Sequence, residues 1–139
     1  MTVQTSVALR NAALDARETA TGTAPKLQIR TGAQPASCAT ADSGTLLAEL
    51  DLPSDWMAAA SSGTKAKAGT WSGTASAAGD AAHFRIKDSS GTTCHWQGSV
   101  TATGGGGDMT MSVGGSPSVT LGVGYTFTVD TFTLTEAGA

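Results

Sequence analysis

Apolar and polar residues alternate along most of the chain after Pro25, and this period of two predicts strands. Ala82, Phe84 and Ile86 point one way while His83, Arg85 and Lys87 point the other. Cys94, Trp96, Gly98 and Val100 then alternate with His95, Gln97 and Ser99. Facing the two apolar sets across a hairpin puts Ile86 opposite Cys94 and Phe84 opposite Trp96. That register leaves Ser89-Ser90-Gly91 as the connection, with Gly91 at the left-handed position such loops favour. His83 and His95 then share the outward face, with Arg85 opposite His95.

Leu27 and Ile29 mark an earlier strand, and Leu46, Ala48, Leu50 and Leu52 mark another that Pro53 ends. Residues 65–72 make a weaker strand anchored by Trp71. Met109 to Val113 and the series Val119, Leu121, Val123 follow. Tyr125, Phe127 and Val129 share one parity and Phe132 and Leu134 the other, so a bulge or bend is expected at Asp130-Thr131. Gly104 to Gly107 reads as a flexible turn. The total is about eight short strands separated by Gly, Pro, Ser and Asp turns, which predicts a mainly β fold, an antiparallel β-sandwich of jelly-roll type.

Helical character is confined to the start. Ser6 suits an N-cap, Val7 to Glu18 is rich in good helix formers, and Gly22 followed by Pro25 supplies the stop. The expected organisation is a single domain, with an arm and short α-helix over residues 1–24 and the sandwich over 25–139. The apolar stripe of this helix is weak, so it needs a packing partner, either its own sheet or a neighbouring subunit.

Composition changes the picture in one respect. Ala, Gly, Ser and Thr fill more than half of the 139 residues, against 3 Trp, 3 Phe and 1 Tyr. The core is therefore thin, and assembly with other chains is expected to add stability. Only 14% of residues are charged and the net charge is -3. No basic block suits a phosphate backbone, so no direct nucleic-acid binding is expected. No apolar run approaches a membrane span, and no secretory leader is read at the N-terminus.

Candidate chemistry is sparse. His83 and His95 lack further ligands, and the neighbouring Arg85 and Lys87 oppose a metal. Cys94 and His95 fall on opposite faces of a strand, so they form no dyad. The acidic residues show no motif, and Gly104 to Gly107 lacks the lysine and following helix of a phosphate loop. The expectation is a protein that is not an enzyme and has no cofactor. Cys38 and Cys94 admit two readings: separate thiols, or a disulfide tying the first long loop to the hairpin. A reducing compartment favours thiols at synthesis, with later oxidation open.

Several segments carry a family likeness. They are Arg10-Asn11-Ala12-Ala13-Leu14-Asp15-Ala16, Leu27-Gln28-Ile29-Arg30-Thr31-Gly32-Ala33-Gln34-Pro35 and His83-Phe84-Arg85-Ile86-Lys87-Asp88-Ser89-Ser90-Gly91-Thr92. Gly104-Gly105-Gly106-Gly107-Asp108-Met109 and Phe132-Thr133-Leu134-Thr135-Glu136-Ala137-Gly138 complete it. Together they resemble a family of small proteins encoded among the virion genes of tailed bacteriophages. The resemblance implies a structural protein of the phage particle, made in the host cytoplasm and carried on the virion.

A short, nearly neutral domain suits a capsid decoration (cement) protein, laid in many copies on the outer lattice. Its expected partners are the major capsid protein and copies of itself. Met1 to Ser6 and the helix are expected to attach, with Val7, Leu9, Arg10, Leu14, Trp56 and Met57 as candidate contacts. Removal of residues 1–20 is then expected to leave the sandwich folded. The alternative is a tail or tail-fibre component that binds a host receptor, with Trp56 or Trp71 against carbohydrate.

Overall fold

Helix α1 (Val7–Thr21) starts where the Ser6 side chain accepts a hydrogen bond from the Leu9 N–H, and it stops at Gly22, whose N–H caps Glu18. The computed structural model describes residues 3–138, so Met1 and Thr2 of the expected arm lie outside the described residues. Strands follow at β1 (Lys26–Arg30), β2 (Leu46–Asp51), β3 (Thr64–Ala66), β4 (Trp71–Thr74), β5 (Gly79–Asp80) and β6 (His83–Lys87). The rest are β7 (Cys94–Ala102), β8 (Met109–Val113), β9 (Ser116–Pro117), β10 (Thr120–Leu121) and β11 (Thr126–Thr135). The fold is mainly β with one short helix, as the alternation predicts.

The main sheet runs β2-β1-β6-β7-β8-β11-β3, with β4 added to β11 and β9 to β8, while β10 and β5 pair separately. The sheet curls. Its first strand returns to the far side, where the Ser76 and Ala77 N–H groups donate to the Leu47 carbonyl at 2.8 and 3.3 Å. Inside the curl, Trp56 stands 6.1 Å from Trp71, Trp71 is 5.7 Å from Phe132, and Phe132 meets Phe84 edge-on at 5.5 Å. Phe84 and Phe132 lie on strands three places apart in the sheet, so this last contact crosses the core. Such pairs contribute roughly 0.5–1.5 kcal/mol each beyond their burial, which matters in a core short of large side chains.

One pairing departs from the antiparallel expectation. β7 and β8 are parallel, with Val100 beside Met109. Parallel neighbours ordinarily need a crossover of about a dozen residues. Here the chain turns a full loop within residues 103–108. Gly104 and Gly106 adopt φ of +91° and +79°, and a Cβ on Gly105 or Gly107 would lie 2.8 or 2.9 Å from Thr101. The Asp108 carboxylate then accepts both the N–H and the hydroxyl of Ser99 at 2.9 Å, which locks the returning strand alongside. Gly105 and Gly107 pack against Thr101 in this turn, while Gly104 and Gly106 border open space.

The β6–β7 hairpin also shifts from the expected register. Phe84 faces Gly98, Ile86 faces Trp96 and Lys87 faces Cys94, with a bulge between Ile86 and Lys87. The cause is steric: a Cβ at position 98 would sit 2.8 Å from the Phe84 ring, so the glycine receives the ring. At the turn, the Asp88 carboxylate accepts the Ser90 hydroxyl at 2.7 Å and the Thr92 N–H at 3.0 Å, and Gly91 takes φ +75°. The parity change in β11 is a bulge between Val129 and Thr131, as expected.

Candidate functional site

The polar face of the hairpin is buried. His83, Arg85 and Lys87, placed outward by alternation, are all covered, as are Gln28 and Arg30 on the adjacent strand. Their cover is the loop between β1 and β2, and His83, Arg85, Lys87 and Arg30 each hold a piece of it. His83 Nδ1 donates to the Gly32 carbonyl at 2.8 Å, and Gln97 Nε2 donates to the Pro35 carbonyl at 2.7 Å. Arg85 donates to the Cys38 carbonyl at 2.7 Å and to the Thr40 carbonyl at 2.9 Å. A loop with buried main-chain oxygens is stable only when they are satisfied, and these side-chain N–H groups satisfy them.

Asp42 is the centre of the cluster. Its Oδ1 accepts from Arg85 at 2.7 Å, and its Oδ2 accepts from Lys87 at 2.6 Å and Arg30 at 3.0 Å. Burial pushes the Asp42 carboxyl up, but the Lys87 hydrogen bond and the charges of Arg30, Lys87 and Arg85 outweigh it and hold it below the usual carboxylate range. Three cations thus share one anion.

Beside them lie the two cysteines. Cys38 and Cys94 are free thiols, both half-buried, with Sγ atoms 3.0 Å apart. Arg85 Nε donates to Cys94 Sγ at 3.2 Å. The bulge turns Cys94 onto this loop-covered face, whereas strict alternation places it with Phe84 and Ile86. A cleft of about 250 Å³ opens here, walled by Cys38, Thr40, Asp42, Lys87, Thr92 and Cys94.

The second candidate region is the helix. Leu14 is fully buried, and Lys65, 3% exposed, reaches Asp15 at 2.6 Å and Glu18 at 2.8 Å. Trp56 Nε1 donates to the Gly22 carbonyl at 3.1 Å, Trp96 Nε1 donates to Thr21 Oγ1 at 2.9 Å, and the Gly63 N–H donates to Asn11 at 2.9 Å. The C-terminal half of α1 is therefore part of the folded body. In its N-terminal half Asn11 is tied down as well, whereas the first turn stands out: Val7 and Leu9 are 46% and 58% exposed, and Val3, before the helix, 85%.

This divides the expected contacts. Val7 and Leu9 are available to a partner, and Arg10 is half-buried. Leu14, Trp56 and Met57 are buried in the core and offer no surface, which corrects their assignment as contacts. Trp71 is likewise fully buried. The histidines do not share a face: His83 lies under the loop, while His95 sits at the bulge near Arg17 and Trp96, and Arg85 faces Gln97 instead.

Alternation missed Asp42 and Lys65. A signal was present for Asp42, an acid in a long loop that follows one cationic strand and precedes another; for Lys65, followed by Lys67 at the same parity, the sequence does not single out the one that meets Asp15 and Glu18. Among the described residues, no three His, Cys, Asp or Glu side chains cluster to hold a metal, and no helix is long and apolar enough to cross a membrane. Compared with family models, curated proteins and solved structures, the chain matches none.

Proposed function

We propose that this protein is a non-enzymatic structural subunit of a tailed-phage particle, and within it a decoration protein on the outer capsid lattice. The observation that carries the reading is the division of α1. From Asn11 onward it is fixed to the body through Asn11, Leu14 and the Asp15–Lys65 pair, while its first turn holds Val7 and Leu9 out to solvent, with Val3 exposed in the segment before it. Contact side chains rooted in a rigid element lose little freedom on binding. Repeated over a lattice, weak apolar contacts of this kind sum through effective concentration. The major capsid protein and neighbouring copies are the partners, and the sequence resemblance to virion proteins supports the same setting. The receptor-binding alternative drew on Trp56 and Trp71 as sugar platforms, and both rings lie inside the core.

The test is copy number. Densitometry of purified virions should find hundreds of copies per particle, and Leu9→Glu should lower that occupancy while the isolated protein keeps its melting temperature. A few dozen copies would move the subunit to the tail, and its absence from the particle would end the reading.

A further inference from the structure

We infer that Cys38 and Cys94 are a redox site, closing to an intramolecular disulfide that fastens the β1–β2 loop to the hairpin. Two independent arrangements converge on it. The sulfurs already stand 3.0 Å apart, though 56 residues separate them in sequence. Arg85 grips both partners at once, donating to Cys94 Sγ at 3.2 Å and to the Cys38 carbonyl at 2.7 Å, so one guanidinium sets the approach of the two chain segments. Bond formation needs the sulfurs to close by about 1 Å. The cleft of about 250 Å³ beside them admits a small disulfide reagent to both half-buried thiols.

The chemistry is thiol–disulfide exchange with a low-molecular-weight disulfide as oxidant. Burial, with Cys94 close by, pushes the Cys38 thiol up to about 11, while the Arg85 guanidinium lies against the Cys94 sulfur, so the first attack is assigned to Cys94. The Cys94 thiolate breaks the reagent's S–S bond, forms a mixed disulfide and releases one thiolate. Cys38 then gives up its proton and attacks Cys94 sulfur, forming the protein disulfide and releasing the second thiolate. In total, two protein thiols are oxidised, one reagent disulfide is reduced to two thiols, and the two protons pass to the leaving thiolates.

Oxidised glutathione is the probe, applied to the whole native protein. The expected product has no titratable thiol, a mass lower by two hydrogens and no glutathione adduct. Its melting temperature rises by about 10 °C, because the bond closes a long loop in the unfolded chain, and dithiothreitol reverses the rise. Cys38→Ser should instead stop at a stable Cys94–glutathione adduct with no such rise. Two unreacted thiols, glutathione retained on both cysteines, or a disulfide between molecules would each overturn the inference.

Discussion

The Asp42 carboxylate meets the Arg85 guanidinium at 2.7 Å across 43 residues of chain, and it is the acid that Arg30 and Lys87 also reach. Removing that charge leaves three cations facing one another beneath a loop. Asp42→Asn should therefore destabilise the protein by about 3–5 kcal/mol, read as a lower midpoint in urea unfolding. Asp51→Asn is the control: Asp51 pairs with Lys26 at the surface, so its loss should leave the midpoint where it was.

Acid should act through the same group. The folded Asp42 carboxyl lies below its ordinary value of 3.8, so its contribution is complete above that pH and is lost as pH falls further. Asp88 behaves alike, brought down to about 2 by the Ser90 hydroxyl and the Thr92 N–H. Melting temperature should hold above about pH 5 and fall steadily below about pH 4. The fall should be shallower in Asp42→Asn, measured by circular dichroism across that range.

Deleting residues 1–20 should unfold much of the protein, which reverses the expectation from sequence. The deletion strips Asp15 and Glu18 from the buried Lys65 ammonium and takes Leu14 from the core. An unpaired buried charge alone costs about 3–5 kcal/mol. Adding Lys65→Met to the truncated chain should recover part of the loss, seen as a restored β signal and a higher urea midpoint.

Gly91→Val should cost about 1–3 kcal/mol, since Gly91 holds φ +75° and a β-branched residue resists that region. Thermal unfolding measures it. Gly91→Asn should cost less, because asparagine tolerates the left-handed conformation.

Alternation made the strands around Leu27, Leu46, Phe84, Cys94 and Met109 legible, and the parity change made the bulge beside Asp130 legible. Cap chemistry did the same for both ends of α1. The candidate site was harder to read, because alternation reports two faces of a strand and treats the polar one as wet. His83, Arg85 and Lys87 are dry because a loop folds over them, a long-range event that period-two reasoning does not contain. The hairpin register failed for a related reason: turn chemistry is local, whereas the seating of the Phe84 ring on Gly98 is decided across strands. Trp56 and Met57, read as candidate partner contacts, are core because α1 and the curl of the sheet enclose them.

The hydrogen bonds from Ser76 and Ala77 to Leu47 have a consequence for crowded assemblies. They occupy the Leu47 carbonyl on the outer margin of β2, a group that would otherwise help template a strand from another molecule. Packed side by side at high local density, copies of this chain are stopped at that point from fusing into a continuous ladder. A neighbour that meets the sheet at Leu47 must join through side chains, and fibre growth has no foothold at that carbonyl.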